Sequence, residues 1–284
     1  MKNAIVFLTV RPNMQLIRFA EKFNGSIITP YICIDDSNYN VSSMTVNTIK
    51  YSYSECMSRG FKNLILPSTL KNQKRPCAWD KAFYHFCIKD TSYDNVYFIE
   101  DDVFIPFPIT IFNIDKKYPF ADLLCESHTI RKYNDNWPHW NSITKYFDVP
   151  LYHSMVCACR VSKRMLYIVS CFAKINKTLL YHECFLNTLA AKYNLRIKTP
   201  DEFKSVTWNN NWELKDIKID QLYHPVKDYN SHKIFRNFLL LNNRTENNAN
   251  EEMNTNEEMN TNEEMNTNEE MNTNEENNKL KILN

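Results

Sequence analysis

Residues 95–105 read NVYFIEDDVFI: the apolar run Val96, Tyr97, Phe98, Ile99 stops at three consecutive carboxylates, Glu100, Asp101 and Asp102. A short β-branched and aromatic run of this kind reads as a strand buried on both faces. Three adjacent like charges repel one another, and a single neighbour cannot neutralise them all. A divalent cation resolves the repulsion. In an extended turn Glu100 and Asp102 project to one side, two residues apart, so both can face one metal while Asp101 points elsewhere. Taken alone the triplet is equally a solvated acidic loop; what favours a site is its place at a strand end.

Working outward from that strand, the same alternation recurs. Residues 4–10 (AIVFLTV) form an apolar run that ends at Arg11, Pro12 and Asn13, as a buried parallel strand ends at a loop. Residues 14–23 carry a helical apolar pattern that closes near Gly25, and residues 26–34 form a second strand, broken or edge-like at Pro30. A polar helix over 46–59, a strand over 63–66 and a helix over 78–88 then lead to the strand at 95–99. This order predicts an α/β fold whose first half is a parallel sheet covered on both sides. Ligands in such folds bind outside the carboxyl ends of the strands, here Thr9 and Arg11, Asp35 and Asp36, and the acidic triplet. The second half is less regular: strands near 121–126 and 156–160, helices at 163–172, 180–193 and 234–241, and a loop over 128–146 containing Trp137, His139 and Trp140.

Composition narrows the function classes. The chain has 284 residues, 43% of them hydrophobic and 13% aromatic, enough for one sizeable core plus a remainder. Only Gly25 and Gly60 are glycine, where roughly 20 would be average. A P-loop needs closely spaced glycines, and a dinucleotide fingerprint needs three within a few residues, so both are excluded. Phosphates must then be gripped by side chains or a metal. Residues 242–284 are rich in Asn, Glu and Thr, with the hexamer EEMNTN repeated from Glu251 to Asn274, and read as a solvated, disordered acidic tail after a domain over 1–241. The formal net charge is +1, but the tail's eleven Glu against Arg244, Lys279 and Lys281 make it −8 and leave +9 on residues 1–241. A basic body favours anionic partners, although its Lys and Arg are dispersed rather than clustered. The nine cysteines sit mostly in apolar runs with no C-x-x-C pair, as in a reduced core; Cys157 and Cys159 fall on one face of a strand, which argues against a zinc site. The run at 4–10 is too short for a signal peptide and nothing approaches a membrane span, so a cytoplasmic protein is expected.

Residues 95–105, preceded by the helix Trp79, Asp80, Lys81, Ala82, Phe83, resemble the aspartate-x-aspartate region of glycosyltransferases of the nucleotide-diphospho-sugar transferase (GT-A) superfamily. The apolar-Glu-Asp-Asp-Val form is most similar to the lipopolysaccharide-type glycosyltransferases and their viral and eukaryotic relatives. Asp35, Asp36 and Ser37 look like the family's nucleoside-binding acid. The resemblance covers roughly residues 1–240, though its specific motifs amount to few positions. It implies a single GT-A-like, Rossmann-like mixed central sheet flanked by helices. It also implies a nucleotide-diphosphate sugar as donor, a glycan, protein or small molecule as acceptor, and no nucleic acid partner.

The resemblance further implies roles for single residues. His224, followed by Pro225, Val226 and Lys227, matches a late histidine that joins Glu100 and Asp102 on Mn²⁺ or Mg²⁺, with Lys227 on the diphosphate. Arg11 and Lys81 would add charge against the leaving group, Thr9, Asp35 and Asp36 would border the nucleoside, and Asp101 would meet a sugar hydroxyl. Glu183 occupies the place of the acid that takes the acceptor's proton, near the start of a late helix. His182 before it departs from the usual pair of acids, which leaves the stereochemical outcome open, and Glu183 is also readable as a helix N-terminal acid without catalytic duty. Trp137, His139 and Trp140 suit either sugar stacking or core packing. Two other functions compete: a sugar-phosphate nucleotidyltransferase, which normally needs the glycine loop this chain lacks, and a non-catalytic basic binding domain.

Overall fold

The computed structural model describes residues 1–41, 44–63, 76–148 and 150–242. The chain divides into two units, Met1–Phe235 and Arg236–Asn284. The first is a mixed α/β structure built on a seven-stranded sheet flanked by helices. In chain order its strands are β1 (Asn3–Thr9), β2 (Ile28–Ile34), β3 (Asn47–Ile49), β4 (Asn95–Glu100), β5 (Leu123–Leu124), β8 (Ala158–Ser162) and β9 (Ile197–Lys198), with β6 (Thr129–Ile130) and β7 (Tyr152–His153) forming a separate small ladder. The sheet order is β3-β2-β1-β4-β8-β5-β9. The first four strands run parallel; β8 enters antiparallel to both β4 and β5. Of the second unit, residues 236–242 are described, and they are helical.

Alternation along the central strands explains why both faces are covered. Ala4, Val6 and Leu8 of β1 and Val96 and Phe98 of β4 join one apolar cluster, with α3 (Ala78–Tyr84), α5 (Lys163–Asn176) and α6 (His182–Lys192). Ile5, Phe7, Tyr97 and Ile99 point the other way, into a cluster with α1 (Met14–Glu21) and α4 (Pro108–Lys117). Helix α1 starts where Asn13 caps it, its side chain accepting from the Leu16 amide at 2.9 Å. Ser162 caps α5 in the same way through the Met165 amide.

Several sequence expectations shift. The helix expected over 46–59 is a strand, β3, followed by the short α2 (Tyr53–Ser58). Thr48 and Ile49 are β-branched and pair with β2, and the helix begins only where Ser52 accepts from the Glu55 amide. Strand β2 is internal rather than at an edge, yet Pro30 is tolerated because the β3 ladder begins one residue later, at Tyr31. Helix α4 was not anticipated, and the 128–146 loop contains β6 and a 3₁₀ turn, Pro138–Ser142. Of the strand expected over 63–66 only Asn63 is described, in a single bridge to Leu179, and the tail expected from 242 lies, after Asn242, outside the described residues. Gly60, at the end of α2, has φ +83°, and a Cβ there would stand 2.2 Å from the Ala173 carbonyl oxygen.

Candidate active site

Strand β4 delivers the acidic triplet to the carboxyl edge of the parallel half, beside the end of β1. The Glu100 amide donates to the Cys157 carbonyl at 2.8 Å, and the Asp101 amide to Leu8. The Val226 amide donates to the Asp102 carbonyl at 2.7 Å, tying the turn to the late His224 segment. Two clefts flank the turn and share Glu100 and Asp102. One, of about 430 Å³, is bordered by Cys157, Glu183, His224 and Lys227; the other, of about 230 Å³, by Thr9, Asp35 and Trp79.

Each carboxylate of the triplet has its own partner. The Trp79 indole N–H donates to Glu100 Oε1 at 2.7 Å, and the Thr9 hydroxyl donates to Asp101 Oδ2 at 2.5 Å. Burial raises the pKa of both Glu100 and Asp101, against the effect of those hydrogen bonds. Asp102 faces histidine instead: its Oδ1 lies 3.3 Å from His224 Nε2. His224 is buried, and its Nδ1 lies 2.6 Å from the Thr207 carbonyl oxygen. A carbonyl can only accept, so Nδ1 carries a hydrogen and Nε2 is the nitrogen presented to the acids. Its backbone is pinned as well, the amide donating to Ser205 and the carbonyl accepting from Thr207. Burial opposes a charged His224, but Asp102 and Thr207 outweigh it and raise its pKa.

Across the same cleft, Glu183 stands in the first turn of α6, buried, with the Tyr181 hydroxyl donating to its Oε1 at 2.9 Å. Burial pushes its carboxyl up to about 7. Its neighbour His182 stacks on Trp79 with ring centroids 4.4 Å apart, and burial drives its pKa down to about 3. His182 is therefore a neutral packing partner near neutral pH, with Nε2 3.8 Å from Glu100 Oε1.

The other expected residues divide. Lys227 is exposed and lines the larger cleft, and Thr9, Asp35 and Asp101 line the smaller one. Lys81 does not reach either. Its ammonium is wholly buried, donating to the Asp35 carbonyl at 2.5 Å and 3.2 Å from Asp35 Oδ1, so it anchors the end of β2 instead of meeting a diphosphate. Arg11 is exposed and holds Asp36 at 2.5 Å; the Asn38 amide and this guanidinium keep the Asp36 carboxyl below its usual range, and the pair lies outside both clefts. Trp140 is buried and Trp137 packs on it at 5.1 Å, while His139 stacks on Tyr181 at 4.0 Å, so this group builds the wall behind Glu183.

Cys157 is a cleft-lining side chain that the sequence pattern hid. It does not share a face with Cys159: Cys159 joins the cluster around Phe98, and Cys157 joins the opposite one and borders the larger cleft. No local signal marks it: the antiparallel register, in which Ile99 pairs with Ala158, sets Cys157 against Glu100.

No protein-family model matches the chain, and no curated protein does. Among solved structures, the crystal structure of mouse xyloside xylosyltransferase 1 in its apo form is similar, with a TM-score of 0.39 and 9% identity over 70% of this chain and 84% of that one. Among the described residues no helix is long and apolar enough to cross a membrane.

Proposed function

We propose that the chain is a metal-dependent glycosyltransferase that moves a sugar from a nucleotide-diphosphate sugar to an acceptor hydroxyl. The observation that carries this is the approach of His224 Nε2 to Asp102 Oδ1 at 3.3 Å while Nδ1 is committed to Thr207. A proton on Nε2 pairs it with Asp102; once that proton is gone, the Nε2 lone pair and the carboxylate face the same point and are free to share a divalent cation. Glu100 borders the same cleft, and its ligand atom lies within 4.8 Å of His224's, so two carboxylates and an imidazole of the kind that bind Mn²⁺ or Mg²⁺ line one cleft. When bound, such a cation supplies Lewis-acid neutralisation of the leaving diphosphate.

The chain's own side chains perform the rest. Glu183 accepts the proton of the acceptor hydroxyl as that oxygen bonds to the anomeric carbon. The bond from that carbon to the diphosphate oxygen breaks, and its electron pair leaves with the nucleoside diphosphate. A carboxyl pushed up to about 7 is well matched to this exchange near neutral pH. Tyr181 fixes its orientation. Lys227, exposed at the cleft rim, meets the negative charge of the departing diphosphate. Thr9, Asp101 and Asp35 border the smaller cleft and suit the hydroxyls of the donor's nucleoside.

Incubation with a panel of nucleotide sugars and Mn²⁺ tests this directly. Metal-dependent release of a nucleoside diphosphate from one donor is expected, reduced at least about a hundredfold in Asp102→Asn. Absence of binding and turnover for every donor, with Asp102→Asn behaving like wild type, would overturn it.

A further inference from the structure

The larger cleft also presents a cation-binding group that the carboxylate and imidazole set does not use, the thiol of Cys157. We propose that Cys157 is a sulfur ligand of this centre, so that the site takes a thiophilic divalent cation such as Zn²⁺ or Co²⁺ in preference to Mg²⁺. This rests on a cation binding between the acidic turn and His224, as the glycosyltransferase reading also requires.

The ligand atoms of Glu100, Cys157 and His224 all lie within 4.8 Å of one another. Bonds of about 2.0–2.3 Å to oxygen, nitrogen and sulfur place neighbouring ligands roughly 3.5 Å apart, so small side-chain rotations complete the contraction. The backbone holds the thiol in place, because the Cys157 carbonyl accepts the Glu100 amide at 2.8 Å. Its environment also differs from that of the other buried cysteines. Cys33 and Cys87 donate to the main-chain carbonyls of Ala78 and Leu166, and Cys159 is enclosed by the core. The Cys157 thiol instead hydrogen-bonds the Glu100 carboxylate and lies 3.5 Å from the thioether of Met155, which borders the same cleft, so it already faces a proposed ligand rather than a main-chain carbonyl. Two sulfur atoms therefore stand where the acids and His224 converge. Sulfur ligands select Zn²⁺ and its neighbours, whereas Mg²⁺ demands oxygen. On ligation the thiol proton passes to solvent.

The test is a Co²⁺ titration of the full chain, followed by absorption. Expected is an intense near-ultraviolet thiolate-to-cobalt charge-transfer band that saturates at one equivalent and is absent from Cys157→Ser, while that variant keeps its circular dichroism spectrum and still binds Mn²⁺ by calorimetry. Zn²⁺ should displace the Co²⁺ at least about tenfold more effectively than Mg²⁺ does. Calorimetric Co²⁺ binding without the band, or a band that persists in Cys157→Ser, overturns the inference and leaves the cation centre standing. No binding of any divalent cation to the wild-type chain overturns both. A readout independent of the variant's folding is X-ray absorption at the zinc edge of the Zn²⁺-loaded wild-type chain: a sulfur scatterer near about 2.3 Å is expected, and a first shell of oxygen and nitrogen only overturns the assignment.

Discussion

Glu183 and Asp80 are both buried acids with raised pKa values, yet their surroundings give them different consequences. Glu183 opens onto the cleft, where in the proposed transfer a carboxyl near 7 would exchange a proton with bound substrate. Glu183→Gln keeps the acceptor for the Tyr181 hydroxyl but cannot take a proton. It should lower kcat by about 10²–10⁴ while leaving donor KM near its wild-type value, as steady-state kinetics would read. Asp80, at the third position of α3, is closed in, accepts the Cys77 amide at 2.9 Å, and has its carboxyl pushed up to about 6 by burial. The folded protein thus holds more protons on Asp80 than the unfolded chain does between about 4 and 6, and stability falls as pH rises through that window. Asp80→Asn retains the acceptor without the charge. Its stability relative to wild type, from urea unfolding at pH 4 and pH 7, should rise by on the order of 3 kcal/mol toward the higher pH. An unchanged difference would show that Asp80 is ionised without penalty. Neither raised pKa was legible in the sequence, because burial is a property of what surrounds the residue. For Lys81 the same blindness led to the wrong surface: a lysine after Trp79 and Asp80 looks available, and only the fold turns it under Asp35.

At the scale of elements, a buried polar knot joins α4 to the middle of the sheet. Arg160 of β8 is fully buried and donates to Asp115 of α4 at 2.7 Å and to the Tyr118 carbonyl at 2.5 Å. Asp115 also accepts from Tyr97 of β4 at 2.9 Å and from Asn3 of β1 at 2.6 Å. Three strands and one helix are registered through a single carboxylate. Asp115→Ala would leave the guanidinium charged and uncompensated, so a loss of about 3–5 kcal/mol in chemical unfolding is expected. A loss below about 1 kcal/mol would mean that water enters and satisfies Arg160. The helix this knot fastens was missed in the sequence, and the reason is instructive. Helix α4 buries Ile111 and Ile114 but also Thr110 and Asp115, so its inward face does not read as apolar. Strands β1 and β4, in contrast, are apolar on both faces and end at charged residues, which makes them visible without any tertiary knowledge. Strand β3 falls between these cases: its three residues are too few to show a period, and the cap at Ser52 lies inside what reads as one helix.

For the whole molecule, the candidate site is assembled from segments far apart in the chain: Glu100 to Asp102, Cys157, Glu183, and His224 to Lys227. Sequence motifs located the acids and the late histidine, but the antiparallel entry of β8, which sets Cys157 against the triplet, is a fact of sheet order and has no local signature. Sheet order also makes the acidic turn the common wall of two clefts. A nucleoside diphosphate lying across that wall and a cation held by it would share Glu100 and Asp102, so each ligand must alter the affinity of the other. Reciprocity requires the two effects to be equal. After correction for association of the cation with free nucleotide, Mn²⁺ should strengthen binding of UDP, GDP or another matching diphosphate by at least about tenfold, roughly 1.4 kcal/mol. The same nucleotide should strengthen Mn²⁺ binding by the same factor. Calorimetry of all four legs of the cycle measures both. Near 100 times its dissociation constant, the matching nucleotide should add about 2.7 kcal/mol to stability and raise the melting temperature, and it should do so fully only with the cation present. A cycle in which the nucleotide binds equally well with and without cation would place the two ligands on opposite, uncoupled sides of the turn and remove the basis for charge neutralisation during transfer.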